Sequence, residues 1–318
     1  MPVENILNPS KERFNPFPTE YHTLWNFLQK QRASVWFVEE VDLSKDDLSS
    51  CNDQEKHFIK MILAFFSQFD GIINVNIGES LLKEVKIIEA QYNYRWQMSM
   101  EDIHSEMYAT LIETYIDDDN EKIVLRNAVN NFAVLKDIKD WIDNRFFTEG
   151  VSFGMKLIVN AILEGIFFSA PFCLIFYLSQ NNKLPGLAKS NEFISRDEGM
   201  HMDFSVLLFR ELQNKPSQPE VHSLFKEAID INKKFVHEAL PCKLPGMSQE
   251  KMNEYVEFIS DRLLIKLGYD KLFFVSQNPF PFMDRISLEG KNNFFESRTT
   301  EYQKPLCRKD NLKLLDVF

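Results

Sequence analysis

The sequence predicts an all-α fold: a bundle of long helices with additional helices around it. Three observations point there. Gly is scarce (10 residues) while Phe is abundant (29), a balance that suits packed helices and not a turn-rich sheet protein. Apolar residues recur at helical spacing through several long runs, and no strand-like alternation persists. One four-residue spacing, Glu-x-x-His, occurs twice, as Glu101-Asp102-Ile103-His104 and Glu198-Gly199-Met200-His201. On a helix, positions i and i+3 share a face, so each copy offers a carboxylate and an imidazole to one point.

Along the chain, residues 1–18 carry Pro2, Pro9, Pro16 and Pro18 and read as an extended arm. A short helix follows from Thr19-Glu20, with Tyr21, Leu24, Trp25 and Leu28 at apolar spacing. The brief apolar stretch 33–38 contains Trp36, and Asp42 or Ser44 is placed to cap a short turn. A long helix is expected from about Asp53. Asp70 falls on its apolar stripe beside Phe66 and Ile73, where a carboxylate is costly unless it is paired or bound to a cation. The next helix, from about Ile87 to Ile116, holds the first Glu-x-x-His, and Tyr108 lies one turn beyond His104 on the same face.

Residues 120–147 read as one or two shorter helices. The most apolar run, Met155 to Leu178, is long enough for a membrane span. Lys156, Asn160 and Glu164 interrupt it and Pro171 should kink it, so it reads as a central bundle helix. Glu164, among Ala161, Phe167 and Phe168, is a second isolated carboxylate on an apolar surface. After the loop 181–186 comes the helix with the second Glu-x-x-His, then helices near 219–240 and 248–268. From about 288 the chain is polar and ends on an apolar tip, Leu312, Leu314, Leu315, Val317 and Phe318, which reads as a docking peptide. The domain reading is an arm (1–18), a helical domain (19–287) and a tail (288–318).

A net charge of −11 without a basic stripe opposes non-specific nucleic-acid binding. Scattered Cys51, Cys173, Cys242 and Cys307, with no Cys-x-x-Cys, read as reduced thiols, and no signal pattern opens the chain, so a cytoplasmic protein is expected.

Four helices therefore supply six candidate ligands: Asp70, Glu101, His104, Glu164, Glu198 and His201. Two Glu-x-x-His helices with one acidic residue from each of two others is the pattern of ferritin-like di-metal bundles. Four carboxylates neutralise two divalent cations, which suits iron, and manganese accepts the same donors.

The matching stretches extend further. The runs Glu39-Glu40-Val41-Asp42-Leu43-Ser44-Lys45-Asp46, Ile103-His104-Ser105-Glu106-Met107-Tyr108, Glu164-Gly165-Ile166-Phe167-Phe168-Ser169, Ile194-Ser195-Arg196-Asp197-Glu198-Gly199 and Asn293-Phe294-Phe295-Glu296 closely resemble the radical-generating small subunit of class Ia ribonucleotide reductase, of the eukaryotic and large-DNA-virus type. The resemblance implies that Asp70, Glu101 and His104 bind one iron and Glu164, Glu198 and His201 the other. It implies that Tyr108 is oxidised to a stable radical when the ferrous pair meets dioxygen, shielded by Phe168, Phe172 and Ile194. Trp36 and Asp197 would carry the electron and proton, and Tyr302 would pass the oxidising equivalent to a separate large subunit, docked through the tail, that reduces ribonucleoside diphosphates. A homodimer is expected, from the family and from long apolar helix faces. The tail departs from the family pattern, with Leu312 where Phe is usual and Val317 where Asp is usual, as does the helix before Asp70, with Gln68 and Phe69. Two rival readings are a stand-alone di-iron oxidase or desaturase and a non-catalytic companion subunit. Trp36, Tyr302 and the apolar tail have no purpose in the first.

Overall fold

Asn52 opens the first long helix by a reciprocal pair of bonds. Its side chain accepts from the Glu55 N–H at 2.9 Å, while the Glu55 carboxylate accepts from the Asn52 N–H at 2.8 Å, so orphan donors at the helix start are satisfied. This is helix α2 (Asp53–Asn76), after a shorter α1 (His22–Ala33). The computed structural model describes residues 4–240 and 244–284. The chain divides into two units, Met1–Phe280 and Pro281–Phe318, and of the second only a helical turn at 281–284 is described. Tyr302 and the apolar tip Leu312 to Phe318 lie outside the described residues, as do Cys242 and Cys307.

A π-helical turn (Ile77–Leu81) and the short α3 (Leu82–Glu84) lead to α4 (Ile88–Tyr115). The 120–147 stretch forms three helices rather than one or two: α5 (Asp119–Arg126), α6 (Ala128–Asn131) and α7 (Ala133–Phe146). The extra break falls at Asn127, whose backbone leaves the helical region. The apolar run is α8 (Phe153–Ile162), a π-helical turn (Leu163–Phe167) and α9 (Ser169–Gln180). Its irregularity lies one turn before Pro171. Proline lacks an N–H and crowds the preceding turn, and there the Phe168 N–H reaches back five residues to the Leu163 carbonyl at 3.3 Å. The fold closes with α10 (Pro185–Arg210), α11 (Gln218–Ala239) and α12 (Gln249–Leu267).

No strand occurs among the described residues. Helices α2, α4, α8 with its π-turn, and α10 surround a core dense in aromatic rings, including Phe65, Phe66, Phe69, Phe167, Phe168 and Phe204, all buried. Helix α1 packs along α4 and α10, and α11 pairs with α12. The segment Phe153–Gln180 is long and apolar enough to cross a membrane, but 89% of its most apolar window is buried inside the protein, as a core helix requires. At residues 4–18 the arm has no helix. It is tied down by Arg13, which donates to the buried Glu89 of α4 at 3.0 Å.

Candidate metal centre

Each of the four core helices turns at least one acidic side chain inward, and the acids meet. Asp70 comes from α2, Glu101 and His104 from α4, Glu164 from the π-turn, and Glu198 and His201 from α10. All six are buried, none more than 2% exposed. Gly165 permits the approach of the π-turn to α10, because a Cβ there would lie 2.5 Å from the Met202 Sδ and 2.9 Å from its Cγ.

Two donor groups result. In one, Asp70, Glu101 and His104 bring ligand atoms within 4.8 Å of one another. In the other, Glu101, Glu164, Glu198 and His201 do the same. Glu101 belongs to both. His104 Nδ1 lies 3.0 Å from Glu198 Oε1 and 3.3 Å from Glu101 Oε2. His201 Nδ1 lies 2.9 Å from Glu101 Oε1 and 3.0 Å from Glu198 Oε2.

The electrostatics fit a cation pair. Burial, then the charge on Glu101, pushes the Asp70 carboxyl well above its ordinary range. Burial and the neighbouring Glu198 do the same to Glu164. Burial disfavours charge on both imidazoles too. The carboxylates around them outweigh it and raise both: Asp197, Glu101 and Glu198 at His104, and Glu101, Glu198 and Glu164 at His201. Burial also opposes charge on Glu198, yet the adjoining Glu164 carboxyl and the two imidazoles hold it below the usual range. So many acids share one dry site only if cations or protons neutralise them. Both Asp70 oxygens and Glu164 Oε2 are buried without a hydrogen-bond partner. Oxygen-rich donors with one imidazole per group suit iron or manganese.

The second imidazole nitrogen of His104 leads outward. Nε2 lies 3.3 Å from Asp197 Oδ2, and the same oxygen accepts from the Trp36 indole N–H at 2.7 Å. A ligating histidine whose far nitrogen meets a carboxylate is held in orientation and tautomer. Arg196 donates to the other Asp197 oxygen at 3.0 Å. Burial opposes the charge on Asp197, but Arg196 and His104 hold its carboxyl below the usual range.

Tyr108 is 1% exposed and its hydroxyl has no hydrogen-bond partner. Its ring stacks on Phe66, with centroids 4.5 Å apart and planes 7° from parallel. Phe172 stacks on Phe66 at 4.9 Å, and Phe168 meets Phe66 edge-on at 5.2 Å. Ile194 is fully buried. Sequence reasoning missed Phe66 as the ring in face contact with Tyr108, although its place one turn before Asp70 on the apolar stripe was the available signal. It also missed two carboxamides on Glu164: Gln97 donates to Oε1 at 2.7 Å and Asn160 at 3.2 Å.

Residues 13–279 match the family model described as "Ribonucleotide reductase, small chain". The chain belongs to this family. It is 48% identical over 319 residues to the ribonucleoside-diphosphate reductase small chain of vaccinia virus strain Ankara, covering 99% of each chain. It is 48% identical over 304 residues to that of Spisula solidissima, covering 95% of this chain and 79% of the relative. Among solved structures, the ribonucleotide reductase Rnr4 homodimer from Saccharomyces cerevisiae superposes with a TM-score of 0.81 at 30% identity, covering 94% of this chain and 92% of that one. The dimanganese(II)-NrdF of Streptococcus sanguinis shares the fold, with a TM-score of 0.74 at 18% identity over 88% of this chain and 99% of that one.

Proposed function

We propose that this chain is the radical-generating small subunit of a ribonucleoside-diphosphate reductase, with Tyr108 as the residue that stores the oxidising equivalent. One observation carries the reading: six metal-binding side chains converge in a dry core that also encloses a phenol with an unpartnered hydroxyl. Asp70, Glu101 and His104 would hold one iron, and Glu164, Glu198 and His201 the other, with manganese acceptable to the same donors. When bound, such a reduced metal pair supplies, together with dioxygen, an oxidant stronger than any ordinary side chain.

The protein's part is to shape the outcome. Burial, then the charges on Asp70, Glu198 and Glu101, pushes the Tyr108 hydroxyl far above its ordinary pKa, so the phenol is neutral. Its oxidation must therefore release a proton with the electron, leaving a neutral phenoxyl. Phe66, Phe168, Phe172 and Ile194 then exclude water and reductants from it. Trp36, Asp197 and His104 form an unbroken set of contacts from the metal ligands to an indole, suited to moving an electron while the Asp197 carboxylate accepts the indole proton.

The large subunit would take the oxidising equivalent through Tyr302, and the tip Leu312, Leu314, Leu315, Val317 and Phe318 would dock on it. The domain plan follows: arm 1–18, metal-binding domain 19–287, docking tail 288–318. The homodimer named for the yeast relative supports a homodimer here. A soluble enzyme of nucleotide metabolism fits cytoplasmic residence.

The test is electron paramagnetic resonance and metal analysis after ferrous iron and air are added. A tyrosyl doublet with about two irons per chain is expected. Metal uptake with no tyrosyl signal supports a stand-alone oxidase, and less than about one iron per chain supports a companion subunit.

A further inference from the structure

Glu164 differs from Asp70 in one respect that its role as an acid does not explain. Its two oxygens have opposite surroundings. Oε1 accepts two hydrogen bonds, from Gln97 Nε2 at 2.7 Å and Asn160 Nδ2 at 3.2 Å, whereas Oε2 has no hydrogen-bond partner and stands 3.6 Å from His201 Nδ1. Both Asp70 oxygens are free of such bonds.

Each carboxamide is itself committed. Gln97, one helical turn before Glu101, spends its second N–H on Glu101 Oε1 at 3.3 Å. Asn160, one turn before Glu164, spends its second on Ser205 Oγ at 3.1 Å, and Ser205 lies one turn beyond His201 on α10. Gln97, Asn160 and Ser205 are buried, as are the carboxylates. Both amides leave their own carbonyl oxygen unpartnered, an arrangement that carries a cost. An amide does not titrate, so these donors stay in place at any pH, whereas a buried lysine or histidine would not.

We infer that Gln97 and Asn160 are positioning residues that occupy Glu164 Oε1 and so leave Oε2 as the only oxygen of that carboxylate available to a metal ion. A carboxylate fixed in this way gives one bond where a free one can give two. With a metal ion held there, the amides would leave Glu164 a one-oxygen donor. The inference rests on the reading of Glu164 as a metal ligand.

Cobalt(II) tests it without any turnover, since cobalt takes the same donors and its visible absorption reports coordination number. In the full-length protein we expect Asn160→Leu, which keeps the branched side-chain shape and removes a hydrogen bond to Glu164 alone of the six ligands, to weaken one of the two cobalt ions by about 10- to 100-fold. The absorption of that ion should change while the other ion keeps its affinity. Gln97→Met should do the same, with a smaller effect on the second ion through Glu101, and it decides the matter alone if Asn160→Leu does not fold. Unchanged affinities and an unchanged spectrum overturn the inference while leaving Glu164 a ligand. Two cobalt ions bound as tightly by Glu164→Gln as by the unaltered chain would instead remove the ligand reading on which it stands.

Discussion

Trp36 and Asp197 are 161 residues apart in sequence and joined by a 2.7 Å hydrogen bond inside the core. The shared oxygen Oδ2 also faces His104 Nε2, and the Trp36 and His104 rings lie 6.0 Å apart and within 19° of parallel. Asp197→Asn keeps the shape and removes the charge. It should retain the metal ions, since Asp197 is not among the six candidate ligands, yet lower nucleotide reduction with the large subunit by about 10- to 100-fold. Single-turnover assays with measured radical content check this. Equal loss of radical and of activity would place the defect at the metal site instead.

Tyr108→Phe removes a hydroxyl that no group among the described residues bonds. Deleting an unpartnered buried hydroxyl relieves a desolvation cost, so stability should hold or rise, within about 1 kcal/mol. Metal binding should persist, and the tyrosyl signal and nucleotide reduction should both vanish. Thermal unfolding, metal analysis and paramagnetic resonance on the same preparation make the comparison.

Phe66→Ala should act on the radical by another route. Phe66 is fully buried and holds contacts with Tyr108, Phe65, Phe168 and Phe172. Its truncation leaves a cavity and should cost about 3–5 kcal/mol. The radical should form and then decay faster, because small reductants and water reach the phenoxyl face. A radical lifetime equal to that of the unaltered chain would show that Phe66 is packing alone.

The fold was legible where one periodicity dominated. Asp53, Ile88 and Pro185 begin long helices close to where the apolar spacing placed them, and Asp70 and Glu164 betrayed themselves as acids on apolar stripes. Other features were not legible, for physical reasons. The break at Asn127 depends on one residue's backbone angles, which pattern does not encode. The π-turn that carries Glu164 inserts one extra residue into the helix a turn before Pro171, and apolar spacing does not encode it. The contacts of Phe66 with Tyr108 and of Gln97 with Glu164 join separate helices, and helical spacing says nothing about which rows of side chains face one another across a bundle.

Gly186 shows how tightly α10 is anchored. A Cβ there would stand 2.7 Å from the Asp42 carbonyl oxygen, 2.7 Å from Leu43 Cδ2 and 2.8 Å from Asp46 Oδ2. Asp46 accepts from the N–H groups of Gly186 and Leu187 at 2.7 and 2.8 Å, a carboxylate at a helix start where the dipole favours it. Gly186→Ala should therefore destabilise the protein by about 1–3 kcal/mol, since a backbone oxygen cannot step aside. It should also weaken metal binding, because α10 carries Glu198 and His201. Calorimetric unfolding of metal-free and metal-loaded protein separates the two effects.

The metal-free chain should lose stability as pH rises. Asp70, Glu164, His104 and His201 are all raised in the folded state. A raised group binds its proton more tightly folded than unfolded, so its stabilisation is full below the unfolded value and lost as pH climbs through the folded one. For the imidazoles the loss begins above the ordinary value of 6.5, and for the two acids it begins above 3.8 and 4.5. Asp197 and Glu198 run the other way, being lowered, and their contribution disappears only as pH falls below the usual carboxylate range. The melting temperature of metal-free protein should thus fall as pH rises, most steeply once the imidazoles join the acids above the ordinary histidine value of 6.5, with the slope set by protons released on unfolding. Metal ions replace those protons, so the loaded protein should show a flatter profile and bind metal more tightly as pH rises. Parallel slopes for the two forms would mean that the buried acids and imidazoles are not the groups the metal displaces protons from.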